Sequence, residues 1–232
     1  MRKVVIYLAV NRFFLSLLCV FLVSFFDKAH GTSPQKREKD WKVIYEQNFE
    51  EIEDGKLPKD FFILEGSFSV HRRDGRKCLV LPGNPVGEHG FLFGPRLGTE
   101  TMELSFSCLG GVKSRRHSAF SGAIGGIRGI HYRLNPVSKT GILSYLDYWK
   151  HENYIDWDSR EWMRVCLQIV EQTDKAEMLI RLEVRLESAQ SGQVAAMNSV
   201  INNLAGKCVL WGFSYAEQEM LWDDLLIRVL RK

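Results

Sequence analysis

The feature that most constrains the fold of this chain is a repeated alternation of apolar and polar residues. The clearest example is the segment 177–188, EMLIRLEVRLES, in which every second residue from Met178 to Leu186 is apolar. The segments 101–109, TMELSFSCL, and 161–170, EWMRVCLQIV, repeat the pattern. A period of two places successive side chains on opposite faces of a strand, so each segment predicts a β-strand with one buried and one solvated face.

Shorter segments of the same kind occupy most of the chain from residue 41 onward. One of them follows Asp74 and Gly75, a dipeptide that is typical of hairpin turns. At most one short helix is expected, near residues 194–204, whereas a parallel α/β fold would need helices between its strands. The sequence therefore predicts an all-β sandwich of two antiparallel sheets, formed by a single domain over residues 41–232.

Residues 1–31 have the pattern of a secretory signal peptide. Arg2 and Lys3 provide positive charge, residues 13–26 are apolar, and small residues precede the expected cleavage point after Gly31. The apolar run is shorter than the roughly 20 residues that cross a bilayer. We therefore expect cleavage and export, with no stable membrane insertion afterwards; an uncleaved anchor is the alternative. Residues 32–40, TSPQKREKD, are expected to form a flexible linker.

The charge of the chain excludes one class of partner. The net charge of +3 for the whole sequence is concentrated in residues 1–31, so the remaining domain is close to neutral. A domain without excess positive charge lacks the electrostatic signature of a nucleic-acid-binding protein. We therefore expect no nucleic-acid partner.

Four cysteines lie outside the expected signal peptide: Cys78, Cys108, Cys166 and Cys208. In an exported protein they could form two disulfides, in any of three pairings. The alternative, which we favour, is that they are free thiols packed within strands, because a domain of this size has enough core to be stable without disulfides.

Four segments, in order, resemble parts of the concanavalin A-like lectin/glucanase sandwiches: 45–51, YEQNFEE; 64–83, LEGSFSVHRRDGRKCLVLPG; 157–169, WDSREWMRVCLQI; and 222–229, WDDLLIRV. This group includes laminin-G-like, family-16 glycoside-hydrolase-like and 3-keto-disaccharide-hydrolase-like domains. The resemblance implies a jelly-roll β-sandwich. It also implies an exported, non-catalytic module that binds carbohydrate or mediates a cell-surface interaction, with a polysaccharide or glycan as the partner.

The sequence is compatible with two other functions. One is a glycoside-acting enzyme, a hydrolase or a lyase; the other is a structural envelope protein without a small ligand. Family-16 enzymes carry acidic residues at alternating positions of one strand. Here Glu183 and Glu187 share a face, but Arg185 stands between them. An enzyme of this family would therefore act without that motif, and the sequence identifies no catalytic residue.

The segment 145–162 is the densest aromatic and polar stretch of the chain. Its candidate carbohydrate-binding residues are Tyr148, Trp149, His151, Tyr154 and Trp157. Aromatic rings suit the apolar faces of sugars, and polar groups suit their hydroxyls. The alternative is that these aromatic residues pack the core.

His131 and Arg133 lie two residues apart in another expected strand. The two side chains would share a face and could bind an anionic sugar. The alternative, which is the more common situation, is that they are solvated residues of an exposed sheet face.

Two adjacent carboxylates, Asp223 and Asp224, open the last expected strand. Alternation places Asp223 on the inward side, with Leu225 and Ile227. The resemblance implies a structural Ca²⁺ where the first and last strands meet, with Glu50, Asp223 and Asp224 as ligands, since Ca²⁺ prefers oxygen ligands. The alternative is that the two aspartates form salt bridges or turn hydrogen bonds.

Overall fold

The structure is a computed structural model that describes residues 41–83, 86–98, 101–113, 116–146, 149–171, 178–186, 193–199, 204–214 and 218–230. The expected signal peptide, residues 1–31, and the expected linker, residues 32–40, lie outside these residues. Among the described residues, no helix is long and apolar enough to cross a membrane.

The described residues form strands β1–β17 in chain order. The first nine are β1 (Trp41–Gln47), β2 (Phe62–Glu65), β3 (Ser69–Arg73), β4 (Arg76–Leu81), β5 (Gly87–Leu97), β6 (Met102–Gly110), β7 (Val112–Lys113), β8 (Arg116–His117) and β9 (Ala119–Ile124). The others are β10 (Ile130–Asn135), β11 (Thr140–Tyr145), β12 (Trp149–Tyr154), β13 (Met163–Glu171), β14 (Met178–Leu186), β15 (Gln193–Ser199), β16 (Gly206–Ser214) and β17 (Met220–Leu230).

The strands build two large antiparallel sheets and the small hairpin β7–β8. The eight-stranded sheet has the order β15-β14-β13-β6-β17-β4-β3. Its eighth strand, β1, pairs with residues 225–230 of β17, whereas β4 pairs with residues 220–222 of the same strand. The seven-stranded sheet has the order β12-β11-β10-β9-β16-β5-β2. The all-β class and the two-sheet antiparallel sandwich predicted from the sequence are confirmed.

The core lies between the two large sheets and is rich in aromatic side chains. Trp222 of β17 is fully buried and contacts the rings of Phe68, Phe91 and Phe120 at centroid distances of 5.7, 6.1 and 5.4 Å. Edge-to-face geometry of this kind adds to the free energy gained from burying the rings. Through Trp222, β17 of the eight-stranded sheet thereby packs against β5 and β9 of the seven-stranded sheet.

The helix expected near residues 194–204 is wrong for the part that the structure describes. Residues 193–199 form β15, which pairs antiparallel with β14 and aligns Met197 with Ile180. The alanines and methionine of this segment favour a helix weakly, and the ladder with β14 overrides that preference.

The expectation that β6 has a solvated face is also wrong. Met102, Leu104 and Phe106 face the core as predicted, but the alternate residues are buried too, with Glu103 and Ser107 each 1% exposed. Arg228 and Gln168 of the neighbouring strands donate to Glu103, and Ser107 donates to Asp224 of β17. Because β6 is flanked by β13 and β17 in the sheet, its polar positions pack beneath those neighbours instead of facing water.

The four cysteines are free thiols in the structure, of which Cys166 is half-buried and the others are buried. Burial raises the pKa of Cys78 and of Cys208 to about 12. A thiol with such a pKa is protonated at neutral pH and reacts slowly. These two cysteines therefore act as small apolar residues in the sandwich.

Candidate functional site

A cavity of about 670 Å³ opens on the outer face of the seven-stranded sheet. We call it the Trp211 groove. Its lining residues are Glu88, Ser121, His131, Arg133, Ile142, Ser144, Leu146, Lys150, Trp211 and Phe213. The residues come from β5, β9, β10, β11, β12 and β16 and the turn after β11, so the groove runs across most of the sheet.

The floor of the groove follows from the register of the strands. Arg133 aligns with Ser121, Ser121 aligns with Trp211, and Trp211 aligns with Gly90. Residues that align across neighbouring strands project to the same face. The row therefore places a guanidinium, a small hydroxyl and an indole side by side on the outer face of the sheet.

Gly90 determines how Trp211 lies on the sheet. A Cβ atom at position 90 would clash with the indole ring of Trp211. The indole therefore lies across the backbone of Gly90, a position that only a residue without a side chain leaves open. Since Trp211 is half-buried and lines the groove, it provides a fixed aromatic surface there.

Arg133 is held in the groove by an aromatic ring. Its guanidinium carbon lies 3.7 Å from the centroid of the Phe213 ring, which is a cation–π contact. No carboxylate among the described residues lies within ion-pair distance of Arg133. The hydrogen-bonding edge of this guanidinium is therefore available to a ligand.

His131 and Lys150 complete the polar part of the groove. Nε2 of His131 donates a hydrogen bond to the carbonyl oxygen of Ile127 at 2.7 Å, and burial lowers the pKa of this imidazole. His131 is therefore neutral at pH 7. Lys150 lies 3.7 Å from Glu152, and both side chains are more than half exposed.

Of the described residues that line the groove, only Glu88 carries a carboxylate. Glycoside hydrolysis by retention or inversion uses two carboxyl groups that flank the scissile bond. The described lining residues therefore provide surfaces for binding and one of the two carboxyl groups that this reaction uses.

The candidate binding residues of the segment 145–162 that the structure describes do not all lie on the surface. Trp157 is 4% exposed and belongs to the core, which is the alternative that the sequence left open. Tyr154 is 67% exposed, and His151 is exposed on the edge strand β12. Tyr148 and the side chain of Trp149 lie outside what the structure describes. The segment contributes Leu146 and Lys150 to the groove.

Sequence reasoning identified His131 and Arg133 but not Trp211. The available signal was the alternation of β16, in which Cys208 and Leu210 face the core and Trp211 and Phe213 take the outward positions. Large aromatic residues at outward positions of a strand are a sign of a binding surface. The role of Gly90 depends on a pairing between distant strands, which the sequence does not reveal.

The outer face of the eight-stranded sheet also carries a cavity, of about 350 Å³. We call the group of polar side chains there the Glu103 network. The lining residues are Glu103, Ser105, Arg164, Cys166, Gln168, Leu226 and Arg228.

The charges of the Glu103 network satisfy one another. Nε of Arg228 donates to Glu103 at 2.7 Å, Gln168 donates to the other carboxylate oxygen, and Arg164 donates to Ser105 at 2.9 Å. A buried carboxylate needs such partners because an unpaired buried charge is costly. These contacts identify the network as part of the sheet's own structure.

The three expected calcium ligands have cationic partners instead. Glu50 lies 3.0 Å from Arg72, Asp223 lies 3.5 Å from Arg76, and Asp224 lies 3.7 Å from Arg164. No group of three or more His, Cys, Asp and Glu side chains that could hold a metal ion occurs among the described residues. The arrangement fits the salt-bridge alternative and does not fit a calcium site.

The expected inward position of Asp223 is wrong. A β-bulge between Asp223 and Leu226 shifts the register of β17 against β6, and Asp224 adopts a φ of 50°. Asp223 therefore aligns with Ser107 on the outer face, while Leu225 and Ile227 face the core. The extra residue of a bulge reverses the alternation, so a strict period of two assigns the wrong face.

Asp223 is nevertheless buried, at 3% exposure. Burial raises its pKa to about 7, although the backbone N–H of Asp224 donates to it at 2.7 Å and Arg76 is nearby. Desolvation disfavours the charged form of a carboxyl group. Asp223 therefore titrates near neutral pH.

A further group of polar side chains, formed by Ser69, His71 and Asp54, lies at the edge strand β3. Nε2 of His71 lies 3.0 Å from Oγ of Ser69, and its Nδ1 lies 3.1 Å from Asp54. This is the order of contacts in a nucleophilic triad, but catalysis also requires a cleft that orients substrate. Neither of the two cavities described above is lined by these residues.

No protein-family model matches the sequence. No curated protein matches it either. The chain is nevertheless similar in structure to proteins of known structure, at low sequence identity.

One similar structure is the exoplasmic/lumenal domain of VIP36 in its Ca²⁺/Man3GlcNAc-bound form, with a TM-score of 0.57 and 6% identity over 83% of this chain and 91% of that chain. Another is the carbohydrate recognition domain of Emp47p, with a TM-score of 0.55 and 9% identity over 84% and 99%. A third is a Bacillus subtilis protein of unknown function with a galectin-like fold, with a TM-score of 0.52 and 12% identity over 82% and 100%.

These similarities establish the fold. The chain is a concanavalin A-like jelly-roll β-sandwich, as the resemblance of the sequence segments implied. At such identities a shared fold does not transfer a binding site, so any function rests on the side chains of this chain.

Proposed function

We propose that this protein is an exported, non-catalytic carbohydrate-binding module whose binding surface is the Trp211 groove. The observation that carries the proposal is the indole of Trp211, which lies across Gly90 and lines the groove. A flat aromatic surface beside hydrogen-bonding groups matches the two kinds of surface on a sugar ring.

The polar residues around Trp211 support the same conclusion. Ser121, Ser144 and Glu88 offer hydroxyl and carboxylate groups to sugar hydroxyls, and Arg133 offers donors. The lectin-type domains of similar structure are consistent with this use of the fold.

A glycan array followed by titration calorimetry tests the proposal. Trp211→Ala should weaken the binding of any hit about tenfold or more, the loss expected when roughly 1.4 kcal/mol of stacking is removed. The matched control is Trp162→Ala, which alters a half-buried tryptophan packed against Cys78, Val80 and Leu221, outside the groove. Unchanged affinity in Trp211→Ala, or no saccharide hit at all, would contradict the proposal.

Export is supported by the signal-peptide pattern of residues 1–31. N-terminal sequencing of protein recovered from the medium or the cell envelope should begin after Gly31. A mature chain that still begins at Met1 would instead indicate a retained anchor.

A further inference from the structure

We propose that the Trp211 groove takes an anionic saccharide, whose carboxylate or sulfate group is bound by Arg133. This inference rests on the proposed carbohydrate-binding function and adds the chemical class of the sugar. It starts from the contrast between Arg133, which has no carboxylate partner among the described residues, and the paired arginines of the Glu103 network.

Phe213 prepares Arg133 for this role. Its ring is buried, at 9% exposure, and it covers one face of the guanidinium at 3.7 Å. Stacking fixes the plane of the guanidinium but uses none of its N–H donors. Two parallel N–H groups then remain for the bidentate contact that arginine makes with carboxylates and similar anions.

The charges that line the groove also favour an anion. Because His131 is neutral at pH 7, the charged residues among the described lining are Arg133, Lys150 and Glu88. Lys150 is held only loosely, 3.7 Å from Glu152 in an exposed pair. Such exposed pairs contribute little free energy, so Lys150 is free to turn toward a bound anion.

The spacing of the strands sets where the charged group of the sugar lies. Arg133 and Trp211 flank Ser121 in one row of the sheet. Two strand spacings of roughly 4.8 Å separate their Cα atoms by about 10 Å. The guanidinium of Arg133 reaches back from there to the ring of Phe213, which lies two residues from Trp211 on β16. A sugar ring stacked on Trp211 can therefore direct an exocyclic carboxylate or sulfate to this guanidinium.

Titration calorimetry with three matched trisaccharides tests the inference. The probes are trigalacturonate, its carboxyl-reduced neutral counterpart galactotriose, and galactotriose that carries 6-sulfates. We expect an anionic probe to bind roughly tenfold or more tightly than the neutral one, with the advantage lost at high salt. Arg133→Gln should weaken anionic binding by roughly 10- to 100-fold, the range for hydrogen bonds to a charged group, and change neutral binding less than about twofold.

Three further variants test whether the preference for an anionic probe is specific to Arg133. Trp211→Ala should weaken all probes, and Glu88→Gln should preserve or strengthen anionic binding. Arg160→Gln, which removes the same charge from the exposed pair with Asp158, should have no effect.

The possible outcomes separate this inference from the proposed function. Equal binding of neutral and anionic probes, lost in Trp211→Ala but not in Arg133→Gln, overturns the inference and leaves the carbohydrate-binding proposal intact. Absence of all binding overturns both. Arg133-dependent binding of the sulfated probe alone supports the inference and identifies a sulfate ester as the source of the anion.

Discussion

The two sheets of this protein carry very different outer faces. On the eight-stranded sheet, Glu103 is 1% exposed and is bound by Arg228 and Gln168. On the seven-stranded sheet, Arg133 lies against Phe213 without a carboxylate partner among the described residues. The two outer faces differ in whether their charged side chains form ion pairs and hydrogen bonds with one another.

This difference indicates which face is built for stability and which for binding. Internal pairing makes a polar network part of the folded structure, and breaking it leaves a buried charge unpaired. A charge and an indole held in place without such partners contribute little to folding but can contact a ligand. Substitutions on the outer face of the eight-stranded sheet should therefore change mainly stability, and substitutions on the outer face of the seven-stranded sheet should change mainly ligand binding.

The largest effect is expected for a pair of tryptophan substitutions. Trp157→Ala removes a core side chain of 4% exposure and should lower the free energy of unfolding by about 3–5 kcal/mol. Trp211→Ala should lower it by less than about 2 kcal/mol, because Trp211 is only half-buried on the sheet surface. Urea unfolding measures both. A small effect for Trp157 would mean that this tryptophan is accessible after all.

A pair of arginine substitutions, one on each sheet, tests more directly whether only the eight-stranded sheet depends on its charged side chains for stability. Arg228→Met keeps most of the side-chain volume but removes the two N–H donors that Arg228 gives to the Glu103 carboxylate, and it should lower the free energy of unfolding by about 2–3 kcal/mol. Arg133→Met removes no ion pair and should change it by less than about 1 kcal/mol.

The double variant Glu103→Leu/Arg228→Met is the control for this experiment. It removes both charges and should recover much of the lost stability, because no unpaired carboxylate remains. Equal losses for Arg228→Met and Arg133→Met would contradict the distinction between the two faces.

The sequence predicted the sandwich because alternation is a local property that each strand shows by itself. It could not predict that Glu103 and Ser107 are buried, since their covering side chains come from β13 and β17. It assigned Asp223 to the wrong face because a bulge is not visible in an alternating pattern. Likewise, the flat position of Trp211 depends on Gly90, which lies far away in the chain.

Asp223 is a charged group on the eight-stranded sheet whose partners do not offset its burial, so its contribution to the stability of this sheet should depend on pH. Its folded pKa of about 7 lies above the roughly 3.9 of an unfolded aspartate. The folded state therefore holds the proton more tightly, and this contribution to stability falls as pH rises from about 4 to about 7.

Asp223→Asn should remove that fall and, at pH 8, raise the free energy of unfolding by on the order of 2 kcal/mol. Asp158 is the matched control of opposite sign. Arg160 holds its pKa at about 2, so its smaller contribution is present above pH 4 and is lost as pH falls through 2. Chemical unfolding of Asp223→Asn and Asp158→Asn between pH 2 and pH 8 measures both effects, and unchanged pH dependence in Asp223→Asn would contradict the raised pKa.

The smallest expected effect concerns calcium. Glu50, Asp223 and Asp224 each have a cationic partner, so a bound Ca²⁺ would have to displace Arg72, Arg76 and Arg164. An ion that binds only the folded state raises the unfolding midpoint by mass action. Since ion pairs occupy Glu50 and Asp224, and burial keeps Asp223 partly protonated near pH 7, the midpoint in excess Ca²⁺ should differ from that in excess chelator by less than about 1 °C, a few tenths of a kcal/mol for a domain of this size. A rise of several degrees that disappears in Asp224→Asn would show that the ion competes successfully, and the charges of this face would then not be satisfied by one another alone.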